Sequence, residues 1–409
     1  MKTLFELCKP MASVFDETKR EDVLNISDLI EGNIDPKAFF EENYLTSGMK
    51  VLFDAAFKRF SKEGSTGVVK LTQAMGGGKT HNMLALGLIA SNPEYRDKVL
   101  PNNNKYKNLG KVKVVAFTGC ESDAPFGIWG SIAEQLGKKD MFSQYYSPLS
   151  APGETAWIKL LEGEPLLILL DELPPYLENA KSKAIGNSDL CTVTSTALAN
   201  LFSALGKGQL SNVCLVVSDL KATYESGSEL IRSSFKNLEN EVNRSALNIE
   251  PVGSTSDEVY HILRRRLFEN MPEAGEINLV ALGYQEAVSN AKKMSFTTVT
   301  PEHIYTGIKD SFPFHPSIRD LYARFKENPG FQQTRGLIRL MRQIVTGLYA
   351  DNGKQAKNKY LINVFDFDLN DRSMLTTVSQ IKPELQEFRI HSSKLSRTLM
   401  LILRISKML

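Results

Sequence analysis

Cysteine is scarce in this sequence: Cys8, Cys120, Cys191 and Cys214 are the only four in 409 residues. They lie far apart and form no CxxC pair, which excludes a disulfide framework and a zinc knuckle. Long apolar runs are missing too. The N-terminal MKTLFELCKPMASVFDETKRED lacks the unbroken apolar stretch of a signal peptide. Near the other end the longest run, Leu399–Leu403, falls far below the roughly 20 residues that span a bilayer. These two shortages predict a soluble, cytoplasmic protein with no membrane partner. Neither sign of charge dominates, since 49 Lys+Arg stand against 47 Asp+Glu for a net charge of +2. No global basic field is therefore present to steer nucleic acid. Internal repeats and low-complexity tracts are also lacking.

What is present is globular: 42% of the residues are hydrophobic, and the length suits two or three domains. Residues 1–60 read as a helical segment. Asp35-Pro36 is a helix start, an N-cap acceptor followed by proline at the first helical position. Met49, Leu52, Phe53, Ala56, Phe57 and Phe60 share one helix face. From residue 61 to 253 the pattern alternates. Apolar runs at Val68–Leu71, Val112–Phe117, Leu166–Leu170, Val213–Val217 and Leu247–Val252 are separated by helical stretches such as Met83–Ala90, Ile128–Leu136 and Thr196–Leu205. Short buried strands between helices predict an α/β domain with a five-stranded parallel sheet and helices on both faces. Residues 254–350, opened by a Ser256-Asp257 cap, read as a small helical lid domain. The remainder, 351–409, holds one predicted strand at Tyr360–Phe365.

The sharpest motif is Thr72-Gln73-Ala74-Met75-Gly76-Gly77-Gly78-Lys79-Thr80, directly after an apolar strand and before a helix. Glycines let a loop turn its N–H groups toward a phosphate chain at a helix N-terminus. Gly76, Gly77, Gly78 and Lys79 are the candidate ATP-binding residues, with Lys79 reaching the β- and γ-phosphates and the Thr80 hydroxyl ligating Mg²⁺. The pattern GxxxxGK[ST] has glycine five residues before Gly78, where this chain has Gln73. His81, next in the run, is a first-turn helix residue and a candidate ATP contact rather than a catalyst.

About ninety residues later Leu166–Leu170 delivers Asp171 and Glu172 at a strand's carboxyl end, where open α/β sheets bind ligands. Asp171 is the candidate Mg²⁺ ligand, and Glu172 the group that orients the attacking water. Three further residues are open between a functional and a plain structural reading. Ser218, before Asp219, either senses the γ-phosphate or caps a strand end. Arg244 either reaches a neighbouring subunit's nucleotide as an arginine finger or lies on the surface. Arg335, in Gln333-Thr334-Arg335-Gly336, either folds onto the phosphates from the helical domain or serves its own helix. The chain has no Asn-Lys-x-Asp motif for guanine, which favours ATP over GTP, and Asp171-Glu172-Leu173-Pro174 is not the DEAD or DExH form of helicases.

The run LTQAMGGGKTHNMLALG (Leu71 to Gly87) resembles the bacterial AAA+-type ATPases catalogued as domain of unknown function 499. So do Phe39-Phe40-Glu41-Glu42-Asn43, Gly48-Met49-Lys50, Phe312-Pro313-Phe314-His315-Pro316 and Thr334-Arg335-Gly336. The resemblance covers about residues 25–350 and implies a P-loop NTPase fold of AAA+-like type. That family includes large ATPases encoded in anti-phage defence islands beside DNA methyltransferases and helicases, which implies such partners here. Its members are much longer, which implies a missing C-terminal half. The tail from Phe388 to Leu409 carries five basic residues and no acidic one. It reads either as a basic amphipathic helix or as a frameshifted or truncated end.

The sequence therefore predicts a Mg²⁺-dependent ATPase of AAA+-like type, working as a homo-oligomer in anti-phage defence. A nucleotide-gated switch or scaffold with little hydrolysis is one alternative. A DNA-translocating motor, with Arg264-Arg265-Arg266 gathered into a basic ring, is another, and DNA stays an open candidate partner.

Overall fold

Each of the five apolar runs contributes a strand in the computed structural model, which describes residues 1–16, 24–64, 66–73, 76–100, 106, 108–120, 123–218, 244, 246–253, 257–325 and 331–367. The strands are β1 (Val68–Leu71), β2 (Lys113–Thr118), β3 (Leu166–Asp171), β4 (Val213–Ser218) and β5 (Ala246–Ile249). All pair in parallel, in the order β2-β3-β4-β1-β5.

Both faces of this sheet are covered, and strand alternation sorts the residues between them. Leu166, Ile168 and Leu170 of β3, with Val213, Leu215 and Val217 of β4, join one core. On that face lie helices over Gly127–Gln135, Glu154–Leu161, Leu173–Lys181 and Leu190–Leu205. Leu167, Leu169, Cys214 and Val216 face the opposite way, into a core built with α1 (Pro36–Glu42), α2 (Ser47–Phe60) and α3 (Lys79–Ser91). The Asp35 carboxylate caps α1 through the N–H groups of Lys37 and Ala38. Helix α3 is buried from Asn82 to Ala90, which explains its apolar sequence all round.

Two buried arginines bond main-chain carbonyls at the ends of these elements. Arg59, 4% exposed, donates Nε to the Val213 carbonyl at 3.0 Å and Nη2 to those of Leu205 and Leu210 at 2.7 Å each. Arg96, 2% exposed, does the same for Ile89 at 3.1 Å and Ala90 at 3.2 Å at the end of α3. Arg59→Met fills the volume but removes every donor. It is expected to cost about 3 kcal/mol or more, because buried carbonyls lose their partners. On a domain of this size that lowers the melting midpoint by roughly 6–12 °C. A thermal melt checks it; an unchanged midpoint would show that water had taken over those carbonyls.

The chain divides into two compact units, Glu21–Glu258 and a second made of Met1–Arg20 with Val259–Leu409. The stretch 1–60, set apart in the sequence reading, is thus split between them. The reason lies in the pairing of Lys9–Pro10 with Phe268–Asn270 as an antiparallel ladder. Leu4, Cys8 and Val14 also share a core with Val259, Leu263 and Leu348, and the Tyr349 hydroxyl donates to the Cys8 carbonyl at 2.7 Å. Helices over Glu258–Leu267, Ala274–Lys293, Pro301–Ser311, Ser317–Phe325 and Gln333–Gly353 make up the rest.

The strand predicted at Tyr360–Phe365 is not one. Ile362 makes a single bridge to Phe314, and Val364–Asp366 is a 3-10 turn. The apolar side chains there, Leu361 and Ile362, are buried by exchange with the Phe312-Pro313-Phe314-His315 segment: Ile362 N–H donates to the Pro313 carbonyl, and His315 N–H to that of Ile362, both at 2.8 Å. Burial pushes the His315 imidazole below its usual pKa. Ser256, Asp219 and the basic tail from Phe388 lie outside the described residues. Among the described residues no helix is long and apolar enough to cross a membrane.

Candidate functional site

The parallel register brings three polar side chains level at the carboxyl edge of the sheet. Thr118 pairs with Asp171, Leu170 with Val217, and Leu71 with Ser218, so Thr118, Asp171 and Ser218 end three adjacent strands in one row. By alternation all three continue the series that faces α3. Helix α3 leaves β1 on one face, while Leu173–Lys181 leaves β3 on the other. A change of side of this kind opens the crevice in which α/β sheets take ligands.

Into this crevice β1 delivers the glycine loop. Gly76 and Gly78 have φ of +80° and +89°, in the left-handed region that side chains rarely adopt. A Cβ on Gly77 would come within 2.4 Å of the Gln73 Cγ. Gly78 caps α3, whose first residues are Lys79 and Thr80. The Thr80 hydroxyl donates to Asp171 Oδ2 at 2.5 Å, joining residues 91 positions apart. Lys79 Nζ donates to the Gln73 carbonyl at 2.6 Å. Asn82 Nδ2, one turn on, donates back to the Gly78 carbonyl at 2.9 Å.

The two acidic residues differ in setting. Asp171 is buried at 3% exposure, whereas Glu172 is exposed. Glu172 has φ +49°, a conformation costing a non-glycine residue roughly 1–3 kcal/mol. Two bonds hold it there: its N–H meets Asp171 Oδ1 at 3.0 Å and Ser218 Oγ at 3.1 Å. Gly119 adds a third constraint, since a Cβ there would come within 2.0 Å of the Glu172 carbonyl oxygen. Sequence reasoning missed Gly119; its only sign was a glycine directly after a strand.

Gly76, Gly77, Gly78, Lys79, Thr80, Asp171, Glu172 and Ser218 are therefore gathered at one edge, with Ser218 acting through the Glu172 backbone. His81 stacks on Phe39, ring centroids 4.5 Å apart and planes 22° apart. Arg244 is exposed and stands two residues before β5. With Ala246 paired to Val68, it precedes the amino end of β5, at the edge of the sheet opposite the one that carries the loop. Arg335 belongs to the other unit, half-buried in the first turn of Gln333–Gly353. Its neighbours are fixed: Thr334 Oγ1 meets the Tyr322 hydroxyl at 3.1 Å, and a Cβ on Gly336 would collide with the Phe331 carbonyl. Of the arginine triplet, Arg264 bonds the Asp310 carbonyl and lies 3.3 Å from His261 Nδ1, while Arg265 is exposed.

Residues 8–117 and 120–253 match the family model of the DUF499 N-terminal domain, and residues 254–395 match that of the DUF499 second domain. Comparison with curated proteins gives no match.

Proposed function

Since the chain belongs to the DUF499 family, we propose that it binds ATP with Mg²⁺ and hydrolyses it, on a P-loop fold of AAA+-like type. The observation that carries this reading is the 2.5 Å bond from Thr80 to Asp171, which joins a glycine loop at a helix N-terminus to a carboxylate at a buried strand end. A hydroxyl and a carboxylate side by side are hard oxygen donors, the sparse set with which proteins hold Mg²⁺ beside substrate phosphates. Thr80 and Asp171 would hold the ion, which when bound neutralises charge on the phosphates.

The remaining work falls to the chain itself. N–H groups of Gly76 to Thr80, at the positive end of α3, bind phosphate oxygens. Lys79 exchanges the Gln73 carbonyl for the phosphates. Glu172, exposed beside the loop, orients and polarises the attacking water, and Ser218 fixes its backbone. Arg244, at the far edge, is either an arginine finger for a neighbouring copy or a surface residue, and the proposed working form is a homo-oligomer in which it would reach the neighbour's nucleotide. The family's setting suggests a cytoplasmic role in anti-phage defence beside DNA-modifying or DNA-processing partners.

Asp171→Asn tests the core of this. Turnover titrated against Mg²⁺ should need roughly 10–100-fold more metal for half its maximum. An unaltered Mg²⁺ dependence would refute the metal assignment. A nucleotide-gated switch with little hydrolysis is the second reading, favoured by Gln73 at a glycine position and its bond to Lys79. Measuring ATP turnover with and without DNA separates the two: tight binding with no turnover under either condition supports the switch.

A further inference from the structure

Gln73 occupies the loop position at which the phosphate-loop pattern has glycine, and both ends of its carboxamide are bonded. Nε2 donates to the Val252 carbonyl at 3.2 Å, and the Val252 N–H donates to Oε1 at 3.2 Å. A carboxamide offers one donor and one acceptor side by side, so it closes a two-bond pair with the main chain of one residue. The Gln73 carbonyl accepts from Lys79, and its Cγ lies where Gly77 leaves room for no Cβ. One residue thus touches the loop lysine, a loop glycine and the chain beyond β5.

That chain, Glu250 to Gly253, lies near the end of the α/β unit. It is fastened a second time by the amino end of α2. Thr46 Oγ1 donates to the Pro251 carbonyl at 2.6 Å. Gly48 lies so near that a Cβ would come within 2.2 Å of the Glu250 carbonyl oxygen. The segment is therefore held from one side by a helix start and from the other by Gln73.

We infer that Gln73 is a positioning residue that ties the phosphate loop to residues 250–253, so that phosphate occupancy is read at that segment. The inference rests on the ATP reading above. A phosphate that draws Lys79 away from the Gln73 carbonyl removes one of the contacts that seat this residue. Gly77 must then turn its N–H to the ligand, and Gln73, packed against it, follows. The paired amide carries the displacement to Val252. Glycine at position 73 would let the loop rearrange alone.

Amide hydrogen exchange on the full chain tests this, read on peptides covering 249–258 with and without Mg²⁺-ATP. In the wild type, ATP should speed exchange at Val252 and its neighbours by roughly 5- to 30-fold, the range in which one or two hydrogen bonds move an equilibrium. Gln73→Gly and the volume-matched Gln73→Met should still bind ATP yet lose that response. The inference is overturned if either variant keeps the nucleotide-dependent change, or if the wild type binds ATP without one. Titration with a fluorescent ATP analogue keeps the two readings apart, since no binding by the wild type overturns the ATP reading and the tie with it.

Discussion

Lys79→Ala is expected to lower ATP affinity by roughly 10²-fold or more, the loss that follows when a charged partner is removed from a largely desolvated anion. The loop backbone cannot make up the difference. The end of a helix offers only about half an elementary charge, and Gly76 and Gly78 contribute N–H groups but no formal charge. The fold should survive, because the ammonium's bond to the Gln73 carbonyl lies within the loop itself. Lys79→Arg should not rescue fully, since a planar fork does not replace a compact ammonium in a tight loop. Calorimetric titration decides it: affinity unchanged in Lys79→Ala, with an unchanged melt as control, would sink the phosphate assignment.

Glu172→Gln should separate binding from chemistry. The substitution keeps shape, so the φ of +49° and the bond from its N–H to Ser218 should persist, and with them the loop. What disappears is the carboxylate proposed to polarise water. Turnover is expected to fall by about 10²–10⁴-fold, the usual worth of a positioned general base. ATP should then stay bound unhydrolysed. A variant that turns over ATP as fast as the wild type would remove Glu172 from the mechanism.

Much of this was legible in the sequence for simple reasons. Strands buried on both faces have to be apolar throughout, so β3 and β4 stand out as runs without a polar residue before Asp171 and Ser218. The loop is legible because its geometry depends on residues in one short stretch. Other features were not, since they depend on partners far away in sequence. Gln73 reads only as a departure from a pattern, because Val252, which explains it, lies 179 residues on. Gly119 earns its place from the Glu172 carbonyl, and the left-handed Glu172 from Ser218. Tyr360–Phe365 has the composition of a strand but no sheet edge to join, only one bridge to Phe314.

The order of synthesis adds a constraint of its own. The α/β unit is one continuous stretch that ends at Glu258, so it can fold as soon as that residue clears the ribosome. The helical unit cannot, because its first residues are made before the α/β unit and the rest after it. At about 5–20 residues per second, residues 259–367 emerge over roughly 5–20 s. Throughout that interval Leu4, Cys8 and Val14 have been translated without the helices that later bury them. The nascent chain must therefore carry Leu4, Cys8 and Val14 without their core partners until residues 259–367 have been made.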